Sequence, residues 1–461
     1  MVFSHYSTSS KKRRFGKAKI KSNSQKLPKN ISNIEVKIHQ LSSKGVGVGY
    51  ISQQDKEKYE KNKVYVPNTI PGEVVRVHPT KKTGKGLEAE LIELVTPSFE
   101  RQSPKCNAYL NCGGCQLQHM TYDAYLEWKR QTIFNLFQKS NIPLKEFGGF
   151  FTSKLQKRRR ASFKFKRTKE KSFIGFYASK SHQIIELEGC IVICPELLKT
   201  KQKILQGLDK IFPIGASLSI KINQYDTGSD ILIIAEKKIS KEVQTELAAW
   251  ASGTDIKRIS LSYTDELKAN LIYQDTPPSI IWGGIIISPP PGSFLQPTLF
   301  GEKILQKEIF SAYKNAKHCL DLFAGCGTLS ANLLTQKVKI TAIDTQIECL
   351  KAYEAGYKNF KQDNLLKVEI RDLINAPVMS SFLNYFDGII LDPPRSGANE
   401  QIKQISMSNC PSVTYVSCNP LSFINDAQIL IGAGYQLQKI TLIDQFSWTT
   451  HSELIGNFKK K

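Results

Sequence analysis

The chain has 461 residues, too many for one hydrophobic core, so roughly two to four domains are expected. Its 64 Lys+Arg against 41 Asp+Glu leave a net charge of +23, the electrostatic footprint of a partner that carries phosphates. No apolar run is long enough to span a bilayer and no secretory signal follows Met1, and ten cysteines are too sparse for a disulfide scaffold, so the chain reads as cytoplasmic with reduced thiols and no membrane partner.

Residues 1–30 hold nine Lys/Arg and no acid, too little apolar surface to fold, and read as a disordered basic arm; an organellar transit peptide fits the same composition. From 31 to 97 the pattern becomes short alternating strands: Ile34 to Ile38, Lys44 to Tyr50, Val64 to Val66, Ile70 to Val77 and Leu87 to Ile92. Such spacing predicts a small OB-like β-barrel. Its glycines, Gly45, Gly47 and Gly49, would let another backbone approach, as RNA-binding barrels require. Through Lys44-Gly45-Val46-Gly47 and Ile70-Pro71-Gly72-Glu73 this stretch resembles a TRAM domain, an RNA-binding barrel.

Residues 98–290 read as a central α+β domain. Cys106, Cys112 and Cys115 are close enough, in a reducing compartment, to bind a metal or cluster rather than form a disulfide. A fourth ligand must come from elsewhere, with Cys190 and Cys194 the candidates. Four thiolates suit a tetrahedral zinc or an iron–sulfur cluster alike. Arg158-Arg159-Arg160 and then Phe163-Lys164-Phe165-Lys166-Arg167 interleave cations with aromatics, a surface for phosphates and stacked bases. Strand-like runs at Ile231 to Ala235 and Leu271 to Tyr273 carry no chemical motif.

Residues 291–461 predict a doubly wound, Rossmann-like sheet of seven strands separated by helix-length segments. Asp321-Leu322-Phe323-Ala324-Gly325-Cys326-Gly327-Thr328 gives strand, glycine loop and helix start. The next two strands end at Asp344, placed for ribose hydroxyls, and at Asp372, suited to an adenine amino group. Together these fit S-adenosylmethionine. A fourth strand ends in Asp392-Pro393-Pro394-Arg395. The fifth, Thr414 to Ser417, ends in Cys418 before Asn419-Pro420 breaks it, which sets a thiol at the ligand-binding edge, where it can be a nucleophile if something lowers its pKa. Thr449-x-His451-x-Glu453 follows, and on a strand His451 and Glu453 would share a face.

With Phe294-Leu295-Gln296, these motifs resemble the S-adenosylmethionine-dependent RNA uracil-5-methyltransferase family over nearly the whole chain after residue 30. The resemblance implies Cys418 as the nucleophile that adds to C6 of uracil and Glu453 as the base that removes the C5 proton. It implies Gln296, Phe323, Thr328, Asp344, Asp372 and Asp392 around the cofactor, and a [4Fe–4S] cluster on Cys106, Cys112, Cys115 and Cys190. The branch with both barrel and cluster resembles the enzymes that act on 23S ribosomal RNA before full ribosome assembly, and a monomer is expected. A tRNA enzyme of the same chemistry is the alternative. An N6-adenine methyltransferase would put an aromatic where Arg395 stands, and a non-catalytic RNA chaperone would not need nucleophile, base and cofactor carboxylates together. Thr298 and Thr328 stand where the family often has Asn, which predicts rearranged cofactor contacts, and Ser447 where it has Pro, which predicts a less stiff loop.

Overall fold

The computed structural model describes residues 25–461 apart from Lys29, Lys180, Asp265, Leu267 and Gln362. Most of the predicted basic arm therefore lies outside the described residues. Its end does not: Gln25–Lys26 pairs antiparallel with Lys82 and Lys81.

The chain divides into two compact units, Met1–Arg101 and Gln102–Lys461. In the first, strand Val74–Thr83 pairs with both Ile34–Leu41 and Gly86–Thr96, which closes five strands into a barrel. Ile34, Val36 and Ile38 point inward and Glu35, Lys37 and His39 outward, the period-two pattern of a sheet with one buried face. Gly47 and Gly49 serve the barrel's own packing. A Cβ on Gly47 would lie 2.0 Å from Thr69 Oγ1, and one on Gly49 2.2 Å from Val36 Cγ1, so their space is taken by the barrel's own packing. Glu73 is fully buried; it accepts from the Ile70 N–H at 2.9 Å and pairs with Arg101, which fixes the Pro71-Gly72 turn.

The second unit holds two large sheets. Seven strands run in the order Ile184–Glu186, Ser172–Tyr177, Arg160–Arg167, Ser217–Tyr225, Gly228–Ala235, Arg258–Tyr263, Asn270–Gln274. Phe163, Phe165, Ile220 and Ile222 on one face pack with Leu197, Ile204 and Leu208 of helix Pro195–Ile211. The other sheet has the seven strands expected of residues 291–461 and an eighth from outside that range, in the order Leu366–Ile370, Lys339–Asp344, His318–Leu322, Gly388–Leu391, Ser412–Ser417, Glu453–Lys460, Tyr435–Asp444, Glu146–Thr152. The first five are parallel and Glu453–Lys460 is antiparallel to both neighbours. Helices Leu299–Tyr313 and Ile347–Phe360 share one core with it; Tyr122–Lys139, Asn399–Ser406 and Pro420–Gly432 share the other.

The eighth strand and helix Tyr122–Lys139 come from the region assigned by sequence to the central domain. They cross the boundary at 290 because Tyr435–Asp444 would otherwise be an open edge, and Glu146–Thr152 covers it in parallel pairing. Ile133 and Phe137 of that helix sit in the core of the last sheet.

Candidate active site

Five parallel strands ending side by side put the residues that follow them on one edge of the sheet. Leu322 is level with Ile343 and with Leu391, and Leu391 with Tyr415. Phe323, Asp344, Asp372, Asp392 and Cys418 therefore gather at that edge, as the motifs require. The antiparallel strand brings the last partner: Ser417 pairs with Leu454, so Cys418 and Glu453, one residue further on each strand, stand next to each other.

Cys418 is half-buried, just past its strand, and Asn419 caps the helix that Pro420 opens. Glu453 is 4% exposed. Burial, then the Glu453 and Asp392 carboxyls, push the Cys418 thiol up to about 11, while the Arg395 guanidinium acts the other way. Burial and then Asp392 hold Glu453 well above the usual carboxylate range. Asp392 keeps part of its surface exposed, yet burial pushes it up to about 7 against a 3.4 Å hydrogen bond from Gln296 Nε2. The condition that something lower the thiol's pKa is thus not met by the protein alone. Burial comes first for all three groups, and for Cys418 and Glu453 the neighbouring carboxyl charges add to it.

The other cofactor candidates are held to different degrees. Asp344 accepts from the Gly325 N–H at 2.9 Å and from the Gln346 N–H at 2.8 Å, so its carboxylate shapes the glycine loop. Phe323 has φ 60°, a costly conformation for a side chain with a Cβ. A Cβ on Gly327 would lie 2.3 Å from the Tyr353 ring. Asp372 is exposed, and its carboxylate takes the Ile374 and Asn375 backbone N–H groups and Asn375 Nδ2 at 2.6 Å. Gln296 is 2% exposed; its Oε1 accepts from Gln445 Nε2 at 3.0 Å, and Gln445 Oε1 in turn accepts from Thr298. Thr298 also caps helix Leu299–Tyr313, its hydroxyl accepting from the Gly301 N–H, a role Asn and Thr both fill. The Thr328 carbonyl accepts from Gln306 Nε2 at 2.8 Å.

His451 does not share a strand face with Glu453, because the strand starts at Glu453 itself and His451 lies in the preceding loop. Burial and then Arg395, Lys129 and Arg158 lower its pKa, so the ring is neutral, and its Nδ1 accepts from Arg395 Nη2 at 3.3 Å. Ser447 is 5% exposed in the same loop, which other bonds stiffen: the Trp448 carbonyl accepts from the Gln116 and Leu117 N–H groups at 2.8 and 3.1 Å.

That loop is also one wall of a cavity of about 580 Å³ whose lining includes Cys106, Cys112, Cys115 and Cys190. Cys194 lies elsewhere, at the N-cap of helix Pro195–Ile211. Burial pushes the Cys115 thiol up to about 12 and raises Cys106 and Cys112. Among the described residues no three His, Cys, Asp or Glu side chains converge closely enough to hold a single metal ion.

The family model for tRNA (uracil-5-)-methyltransferases matches residues 121–461, and the TRAM domain model matches 29–92. The chain belongs to the uracil-5-methyltransferase family. An uncharacterised RNA methyltransferase of Brucella suis is 30% identical over 86% of this chain and 92% of its own. The 23S rRNA (uracil(1939)-C(5))-methyltransferase of Vibrio vulnificus is 26% identical over 95% of this chain and 98% of its own. In fold, the tRNA (uracil-54, C5)-methyltransferase of Pyrococcus abyssi, solved with S-adenosyl-L-homocysteine, superposes with a TM-score of 0.68 over 92% of this chain and all of its own, at 19% identity. This chain is thus an RNA methyltransferase, and no helix among its described residues is long and apolar enough to cross a membrane.

Sequence reading missed the groups through which this methyltransferase holds its last loop. Tyr125 and Lys129 are buried in the stripe Tyr125, Lys129, Ile133, Phe137, a four-residue spacing that marks the inner face of a helix. A lysine inside such a stripe was the available signal. Gln445, 1% exposed between Gln296 and Thr298, stands outside every motif.

Proposed function

We propose that this methyltransferase transfers the methyl group of S-adenosylmethionine to C5 of a uridine in 23S rRNA, through a transient bond from Cys418 to C6. The observation that carries the reading is the placement of Cys418 beside Glu453 by the Ser417–Leu454 register, with Asp392 the next charged neighbour. C5 of uracil is a poor nucleophile. Addition of the Cys418 thiolate to C6 makes an enolate whose C5 takes the methyl, and Glu453 then accepts the C5 proton as the C5–C6 double bond re-forms and the S–C6 bond breaks. Gln296, Phe323, Thr328, Asp344, Asp372 and Asp392 form the donor's surroundings. Being a sulfonium, the donor supplies the methyl and a positive charge that favours ionised Cys418. The raised pKa of Glu453 makes it, once ionised, a stronger proton acceptor.

The ribosomal substrate is supported by a 23S rRNA enzyme that aligns over 95% of this chain. RNA is gripped by the barrel and by Arg158 and Arg160, whose guanidinium groups lie over Phe446 and Phe294, while the sheet edge performs the chemistry on a flipped base, in a monomer. A [4Fe–4S] cluster on Cys106, Cys112, Cys115 and Cys190 is part of the proposal, resting on four thiols that line one cavity.

The test is a 5-fluorouridine 23S rRNA transcript with tritiated S-adenosylmethionine. Fluorine cannot leave as a proton does, so the wild-type chain is expected to run as a labelled protein–RNA adduct on a denaturing gel, and Cys418→Ala to form none while still binding RNA. Turnover by Cys418→Ala would sink the covalent route. Methylation confined to a tRNA transcript would move the substrate to tRNA.

A further inference from the structure

The loop from Gln445 to Ser452 joins the strand that ends at Asp444 to the strand that Glu453 begins, with Ile443 and Glu453 paired across them. Helix Tyr122–Lys139 reaches this loop through one side chain that is unusual for its position. Lys129 is 2% exposed, and its three N–H donors meet three acceptors: Asp444 Oδ1 at 2.8 Å, the His451 carbonyl at 2.6 Å and the Phe446 carbonyl at 3.5 Å. Tyr125, one turn earlier, donates to Asp444 Oδ2 at 2.5 Å and accepts from the Trp448 N–H at 2.9 Å. One ammonium group therefore ties the residue that enters the loop to the residue two places before Glu453, and a phenol fixes the turn between them. Trp448, at that turn, holds a left-handed backbone (φ 63°) and packs against Tyr125 with centroids 4.9 Å apart and the rings tilted by 35°.

We propose that Lys129 is a positioning residue for Glu453: it closes the two ends of the loop on each other and so sets where the carboxylate stands when it takes the C5 proton. The inference rests on Glu453 being that base. Cys418 is placed by a different strand and helix, Ser412–Ser417 and Pro420–Gly432. Loosening the loop therefore slows one step and spares the earlier ones. Sulfur still bonds to C6 and C5 still takes the methyl, but the C5–H pair is slow to become the C5–C6 double bond, so the S–C6 bond persists. A misplaced general base commonly costs about 10²-fold or more in rate.

The full-length wild type and Lys129→Met are compared on two versions of one 23S rRNA transcript, with 5-fluorouridine and with ordinary uridine, both with S-adenosylmethionine. On fluorouridine the two proteins are expected to form adduct at rates within about twofold of each other. On ordinary uridine, Lys129→Met is expected to lose about 100-fold in turnover at little change in KM and to accumulate a methylated adduct that the wild type does not. Wild-type turnover by Lys129→Met overturns the inference, and so does an equal loss on both RNAs by a variant that melts as the wild type does, since misplacing the base alone spares adduct formation. Should Lys129→Met fail to fold, Tyr125→Phe decides by the same comparison, with a loss of about tenfold expected and unimpaired turnover overturning it. A wild type that forms no fluorouridine adduct instead overturns the covalent reading, and the inference with it.

Discussion

Burial raises Cys418, Glu453 and Asp392 together, Asp392 to about 7, so this cluster carries less negative charge in the free enzyme than its residue types suggest. That arrangement has a stability consequence at Asp392. A carboxyl whose value in the folded chain is about 7, against an ordinary value near 4, favours the folded state in its protonated form. Its contribution is complete below the ordinary carboxylate value and is lost as pH rises through about 7. Replacing it with a neutral isostere removes the penalty. Asp392→Asn is therefore expected to be more stable than the wild type at pH 8, by on the order of 1–2 kcal/mol after allowance for its partial exposure and its coupling to Glu453, and no more stable at pH 4.5. Thermal melts at the two pH values measure this. A variant equally or less stable at pH 8 would show that Asp392 is not held against its charge. Activity is expected to fall in the same variant, the usual exchange of stability for function where like charges are held together.

At the scale of elements, the segments whose local pattern agreed with their place in the fold were legible. Ser412–Ser417 is a β-branched run stopped by Asn419-Pro420, and the three strands ending near Leu322, Asp344 and Ile370 announce themselves by a carboxylate or a glycine loop. What stayed hidden depends on partners far along the chain. Glu146–Thr152 reads Glu-Phe-Gly-Gly-Phe-Phe-Thr, with two glycines that argue against a strand, and becomes one by pairing with residues 439–444. Lys129 bonds a carboxylate 315 positions away. Gly47 and Gly49 were read for RNA, and Thr69 and Val36 fill the space beside them, because sequence does not say what occupies the room a missing side chain leaves. The cysteines were legible as a group, but spacing alone left the fourth member open between Cys190 and Cys194, four residues apart before the same helix start, and only the family resemblance chose Cys190. The structure separates them: Cys190 lines the cavity, and Cys194 stands at the N-cap position of helix Pro195–Ile211. Anaerobically purified protein is therefore expected to carry iron and acid-labile sulfide with a broad visible absorbance. Cys190→Ser should lose most of the iron and Cys194→Ser keep it. Colourless wild-type protein with stoichiometric zinc would overturn the cluster, and iron lost only by Cys194→Ser would reverse the ligand assignment.

Across the whole molecule, a net charge of +23 has to be reconciled with a reaction edge that carries carboxyls. The two fit if the cations serve binding and the edge serves chemistry, since phosphates supply most of the affinity for RNA without entering the reaction. The first 24 residues alone carry seven Lys/Arg and no acid, while every residue proposed for chemistry lies beyond residue 295. Counterion release then separates the roles. Each phosphate neutralised on a single strand adds about 0.7 to the slope of log affinity against log salt, so three contacts from the terminal segment account for a slope near 2 and about a twentyfold loss of affinity between 50 and 200 mM salt. Removal of residues 1–24 is expected to weaken RNA binding at 50 mM salt by about tenfold and to flatten the salt dependence by about that slope, while the methylation rate at saturating RNA stays at the wild-type value. Filter binding across a salt series and single-turnover methylation measure the two quantities. A slope unchanged by the truncation would place the phosphate contacts entirely in the remaining chain, and a lowered rate at saturating RNA would mean that the terminal segment contributes to more than capture.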